Sequence, residues 1–77
     1  MGPTSAPVQV LVVEDEAPIR HLLSTTLQAE GYGVLEARSA AEGETLAANR
    51  RVDLFLIDLG LPDRDGCELI RSLRQWT

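Results

Sequence analysis

Apolar and polar positions fall into three similar blocks along the chain. Each block opens on a short apolar run and continues into a segment with helical character. The first run, Val8–Val13 (VQVLVV), is almost continuously apolar, as a strand covered on both faces requires. Ile19, Leu22, Leu23 and Leu27 then recur at helical spacing and predict one apolar stripe on a first helix. Pro18 suits the first turn of that helix, where its missing N–H costs nothing. Gly31 is placed to end it.

The second block opens on Gly33–Ala37, a short strand with Val34 and Leu35 as its best core candidates. Ser39 and Glu42 have the spacing of a capping box, and the alanine-rich helix they start runs to about Asn49. Its low apolar content predicts modest burial on one face. Leu54–Ile57 (LFLI) reads as a third buried strand, followed by a loop rich in Gly, Pro and Asp over Leu59–Asp65. A third helix starts at Asp65 or Gly66, with Glu68 at the capping-box position and Leu69, Ile70 and Leu73 on its buried face, joined by Trp76. The order is β-α-β-α-β-α. Such alternation with short connections predicts parallel strands, right-handed crossovers and helices on both sheet faces.

Length and composition narrow the class. The 77 residues have room for one small domain. Residues 1–7, with Gly2, Pro3, Ser5 and Pro7, read as a flexible lead-in, and 8–77 as the folded part. No apolar run approaches the ~20 residues of a membrane-spanning helix, so no membrane contact is expected. Nothing resembles a signal peptide, and the single Cys67 excludes an internal disulfide; a cytoplasmic location is expected. The net charge is −5, and all seven basic residues are arginine. An acidic chain argues against nucleic-acid binding by this segment and is compatible with a cation or a basic partner surface.

The candidate chemistry lies where two strands end in acid. The first strand runs into Glu14-Asp15 and the third into Asp58. In an open α/β sheet, function gathers at the carboxyl ends of the strands. If these two strands are neighbours, three carboxylates converge and repel one another unless a cation is present. Hard oxygen ligands suit Mg²⁺, or Mn²⁺ in its place. Taken singly, an acid at a strand end is as readily a helix cap or a solvated loop residue. The conjunction of both sites on one sheet edge is what favours chemistry.

The run Val10-Leu-Val-Val-Glu14-Asp15-Glu16, followed downstream by Leu54-Phe-Leu-Ile-Asp58-Leu-Gly60-Leu-Pro62-Asp-Arg-Asp-Gly66, resembles the receiver domain of bacterial two-component response regulators. The spacing of Asp58, Pro62 and Gly66 matches the phosphoacceptor signature of that family. Asp-Leu-Gly-Leu-Pro-Asp and the terminal Leu73-Arg-Gln-Trp76 look most like the Kdp-type regulators of potassium-transport operons. The resemblance implies a flavodoxin-like (CheY-like) doubly wound parallel sheet with strand order 2-1-3 in the part present. It implies that Asp58 is the phosphoacceptor, served by a sensor histidine kinase or a small phosphodonor. Asp15 and Asp58 would ligate Mg²⁺ directly, Glu14 through water, and Gly60 through its backbone carbonyl. Pro62 and Gly66 would shape the loop. The domain would be a switch that controls transcription, not a turnover enzyme.

The resemblance also has a boundary. A complete receiver has five βα units in the order 2-1-3-4-5, and this sequence carries three. The family's Ser or Thr after the fourth strand and Lys after the fifth have no counterpart here, nor has a DNA-binding output domain. The sequence therefore reads as an N-terminal part of a regulator. Its third strand becomes a sheet edge, for which self-association is expected. An alternative is a receiver fragment that is not phosphorylated and serves assembly through that edge. A haloacid-dehalogenase-type enzyme is disfavoured, because the second Asp it needs is replaced by Gly60. A nucleotide-binding half-domain is disfavoured by acids where a Gly-rich loop is needed. His21 is read as a surface or boundary residue and Cys67 as a partly buried small side chain. Arg50-Arg51 is read as the cationic end of a helix, and Arg64 as a weak candidate for phosphoryl or kinase contact.

Overall fold

A computed structural model describes residues 7–58, 60, 61, 63 and 65–73, with only the backbone of residues 66, 67 and 72. The elements are β1 (Gln9–Val13), α1 (Ala17–Ala29), β2 (Gly33–Ala37), α2 (Ala40–Asn49), β3 (Leu54–Ile57) and α3 (Gly66–Leu73). The three strands are parallel in the order β2-β1-β3, as expected. Their register levels the carboxyl ends: Val13 pairs with Ala37 on one side and with Ile57 on the other. The residues that follow β1 and β3 therefore emerge side by side.

β1 is central because it is the most continuously apolar segment. Val10, Leu11, Val12 and Val13 are completely buried, each side chain contributing ~1.5–3 kcal/mol of gross burial energy. Alternation divides them between faces. Leu11 and Val13 join Ala37, Ala40, Leu61, Leu69 and Leu73 in the core beneath α2 and α3, with Phe55 and Ile57 packed against it. α1 covers the opposite face, packing on β1 and β2.

The ends of the helices follow local chemistry. α1 stops in a Schellman arrangement: Tyr32 N–H donates to Leu27 O at 3.1 Å and Gly31 N–H to Gln28 O at 3.0 Å. Gly31 adopts φ +93° there, a conformation glycine reaches without a Cβ penalty. Ser39 caps α2 by accepting from Glu42 N at 3.2 Å. The reciprocal arm of the capping box reaches one residue further back, with Arg38 N donating to Glu42 Oε1 at 2.8 Å. Asp63, from the loop after β3, also accepts from Ala40 N and Ala41 N at 2.9 and 3.0 Å.

Four expectations need correction. The α1 stripe is rotated: Leu22 is 66% and Ile19 43% exposed, whereas Arg20 and Ser24 are buried. Angular order around the helix explains this, since Leu23, Leu27, Arg20 and Ser24 are adjacent and face the sheet, while Ile19 lies on the flank beyond Leu23 and Leu22 on the side turned away from the sheet. In β2 the fully buried residue is Ala37; Val34 and Leu35 are half-buried, because β2 is an edge strand. β3 is likewise an edge among the described residues, with Leu54 exposed and Phe55–Ile57 half-buried. Arg51 does not serve the end of α2. It pairs with Asp53 at 3.4 Å and donates to Pro7 O at 2.7 Å. Asp53 in turn accepts from Gln9 N at 2.9 Å, which pins the start of β3 to β1.

Candidate acidic phosphoacceptor site

The site is assembled by the β1–β3 pairing. Past the last paired residues, Asp58 N–H donates to Val13 O at 2.9 Å and Glu14 N–H to Ala37 O at 3.0 Å. The ladder thus extends by one residue on each side and holds Glu14 and Asp58 as neighbours. Asp15 follows Glu14 in the turn before α1. One carboxylate oxygen from each of Glu14, Asp15 and Asp58 lies within 4.8 Å of the others. Glu14 is buried, Asp58 half-buried and Asp15 exposed, so the cluster forms a wall that opens to solvent.

Each acid is held by local backbone. Glu16 N–H donates to Glu14 Oε2 at 3.1 Å. Gly60 N–H donates to Asp58 Oδ1 at 2.9 Å, an Asx-type turn that sets the Asp58 side chain. The Glu16 N–H favours the charged form of Glu14. Burial, the negative charge of Asp58 and hydrogen bonding with Asp15 and Asp58 oppose it, and the net result is a pKa above the ordinary carboxyl value. An open cleft of about 220 Å³ adjoins the acids, lined by Val13, Glu14, Leu23, Leu56, Ile57 and Asp58. The arrangement is a short-range excess of negative charge on hard oxygen donors. It fits a divalent cation that prefers oxygen and retains water ligands.

Of the residues singled out from sequence, Glu14, Asp15 and Asp58 are brought together, and Gly60 is tied directly to Asp58. Gly66 opens α3, where Glu68 N and Leu69 N donate to Asp65 O at 3.0 and 3.1 Å. Pro62, Arg64, Trp76 and the Cys67 side chain lie outside the described residues. His21 is exposed. Sequence reasoning missed Arg20, whose Nη1 donates to the Glu14 carbonyl at 2.8 Å and whose Nε reaches Glu36 Oε1 at 3.4 Å. The signal was present: Arg20 lies beside Leu27 on the helical wheel, inside the buried sector. Asp63 was also missed, because its partners lie 22 and 23 residues away in sequence.

An order of 2-1-3 places the reversal of strand order between β1 and β3, and the acids sit at that switch point, where doubly wound α/β proteins bind their ligands. The fold and site thus define a doubly wound α/β domain with a cluster of three acids at its switch point. The chain belongs to the response regulator receiver domain family, whose family model matches residues 10–77. It is 53% identical over 68 residues to the KDP operon transcriptional regulatory protein KdpE of Escherichia coli K12, an alignment covering 88% of this chain and 30% of that protein. The chain therefore spans about a third of the length of such regulators. Among solved structures it is similar to a CheY-like receiver domain from Methanospirillum hungatei, with a TM-score of 0.88, 33% identity, and coverage of 90% of this chain and 55% of that one. It is also similar to the response regulator TrrA of Thermotoga maritima solved with Mg²⁺–BeF, with a TM-score of 0.84, 34% identity, and coverage of 88% and 59%. TrrA has also been solved in complex with the histidine kinase ThkA.

Proposed function

We propose that this chain is the N-terminal part of a phosphoacceptor receiver in a two-component system, with Asp58 as the residue phosphorylated. The observation that carries the reading is the meeting of Glu14, Asp15 and Asp58 within 4.8 Å at the switch point of the sheet. Asp15 and Asp58 ligate Mg²⁺ (or Mn²⁺) directly, Glu14 acts through water, and the Gly60 carbonyl completes the protein ligands. The raised pKa of Glu14 supports a site that lacks counter-charge on its own. Bound Mg²⁺ supplies charge neutralisation to the phosphoryl oxygens.

The chain's own residues do the rest. The Gly60 N–H holds Asp58 Oδ1 and orients the carboxylate. An Asp58 oxygen attacks phosphorus in line, the P–N bond to the donor histidine breaks, and its electron pair stays on the imidazole nitrogen. The partner is a sensor histidine kinase, as ThkA is for TrrA. The likeness to KdpE supports a transcriptional role at a potassium-transport operon, through a DNA-binding output domain outside this sequence. The setting is cytoplasmic; among the described residues no helix is long and apolar enough to cross a membrane.

The test is the intact mass after incubation with acetyl phosphate and Mg²⁺. A phosphoryl adduct in the wild type, absent from Asp58→Asn, is the expected result. An unchanged mass in both would leave the assembly-module reading, carried by the free β3 edge, in its place.

A further inference from the structure

Arg20 is unusual among the described arginines because it is buried, with 8% of its surface exposed. A charge taken out of water must be paired and hydrogen-bonded to be tolerated. Arg20 has two partners from different parts of the fold. Its Nη1 donates to the backbone carbonyl of Glu14 at 2.8 Å, and its Nε approaches Glu36 Oε1 on β2 at 3.4 Å. The first contact bears on the acidic site. The Glu14 carbonyl belongs to the peptide plane that carries the Asp15 N–H, and that plane is rigid. Holding the carbonyl removes the rotation that would re-aim Asp15. Among the described residues the other bonds of this turn run elsewhere: Glu14 N–H is tied to Ala37 O, Arg20 N–H to Glu16 O and Glu16 N–H to the Glu14 side chain at Oε2, and none of them holds the Glu14 carbonyl.

We propose that Arg20 is a positioning residue for cation binding: braced by Glu36, its guanidinium fixes the Glu14–Asp15 peptide so that Asp15 is presented to the metal. This rests on the reading of Glu14, Asp15 and Asp58 as a cation site. The fork geometry of the guanidinium suits the task, because Nη1–H on one edge donates to the carbonyl while Nε–H on another meets the carboxylate. Outer residues that orient metal ligands change affinity by about 10–100-fold when removed. Glu36 is partly exposed, with 37% of its side chain accessible, so bracing by it is the smaller effect, roughly two- to fivefold.

The experiment is an EPR titration that counts free Mn²⁺ against the full polypeptide carrying this sequence. The variants are Arg20→Gln, Arg20→Lys, Glu36→Gln and the pair Arg20→Gln/Glu36→Gln, each with its thermal melt. Expected are a loss of at least tenfold in Mn²⁺ affinity for Arg20→Gln and partial recovery in Arg20→Lys. A two- to fivefold loss is expected for Glu36→Gln, with no further loss when it is added to Arg20→Gln. A merely structural arginine would lower the melting temperature and leave the affinity of the folded protein unchanged, which overturns the proposal. If Arg20→Gln does not fold, Arg20→Lys and Glu36→Gln decide it by the same criterion. Asp15→Asn separates the two levels. If wild type fails to bind Mn²⁺, or Asp15→Asn binds as tightly as wild type, the cation reading itself falls, and the role of Arg20 with it.

Discussion

Neutralising Asp58 should stabilise the metal-free protein and destabilise it relative to wild type once Mg²⁺ is added. Asp58 forms two like-charge pairs, with Glu14 and with Asp15, at separations of no more than 4.8 Å. At that distance each pair costs about 0.9 kcal/mol in water, and more wherever the local dielectric is lower. A Debye length of about 8 Å at physiological salt roughly halves this. Asp58→Asn keeps an Oδ1 to accept from Gly60 N–H, so its local turn survives. The metal-free variant should therefore gain about 1 kcal/mol at physiological salt and nearly twice that at low salt. For a chain of this size, 1 kcal/mol corresponds to about 4–8 °C in Tm. With Mg²⁺ at a hundred times its Kd, the wild type should gain about 2.7 kcal/mol, most of which the variant forfeits with its lost ligand. The two melting curves should thus exchange order between EDTA and Mg²⁺, as followed by circular dichroism. An NMR titration should show the Glu14 carboxyl moving down towards its ordinary value in the variant, because the Asp58 charge helps to raise it. A metal-free variant that melts at or below wild type, or an equal Mg²⁺ increment in both, would refute the electrostatic account.

Other outcomes follow from particular contacts. Asp63→Ala removes the acceptor for Ala40 N and Ala41 N; a loss of about 1 kcal/mol and faster hydrogen exchange at those two amides are expected. Gly31→Ala should cost about 1–2 kcal/mol in denaturant unfolding, from backbone strain alone, since φ is +93° and a Cβ there meets nothing within 4 Å. The Ser24 hydroxyl lies by Glu36 without the geometry of a formed hydrogen bond; with the Arg20 guanidinium and the His21 charge it holds the Glu36 carboxyl below its ordinary value of 4.5. A depressed carboxyl stabilises the fold above its unfolded pKa, and that stability is lost as pH falls through the folded value. Glu36→Gln should accordingly flatten the acid limb of a stability–pH curve below pH 4.5 and leave its neutral-to-acid slope smaller. The 77-residue polypeptide alone should self-associate through the β3 edge; a single monomeric species in sedimentation velocity with a cooperative melt would contradict this.

Much of the protein is legible in one dimension because its determinants are local. Continuous valine and leucine in Val10–Val13 call for a strand covered on both sides, and Gly31 supplies a left-handed helix end. Acids immediately after two such strands announce a site at one sheet edge, and their spacing to Pro62 and Gly66 names the family. What the tertiary structure decided is which of these features meet. Register alone makes Glu14 and Asp58 neighbours, since a slip of one residue would turn every side chain to the opposite face. The rotation of α1 on the sheet buries Arg20 and Ser24 and leaves Leu22 outside. A hydrophobic stripe fixes the helix face only to within a sector, and packing against β1 and β2 selects the centre of that sector. Asp63 on α2 and Arg20 on the Glu14 carbonyl are of the same kind. Each joins polar groups whose partnership depends on where the chain returns, and no local pattern of hydrophobicity or charge encodes that.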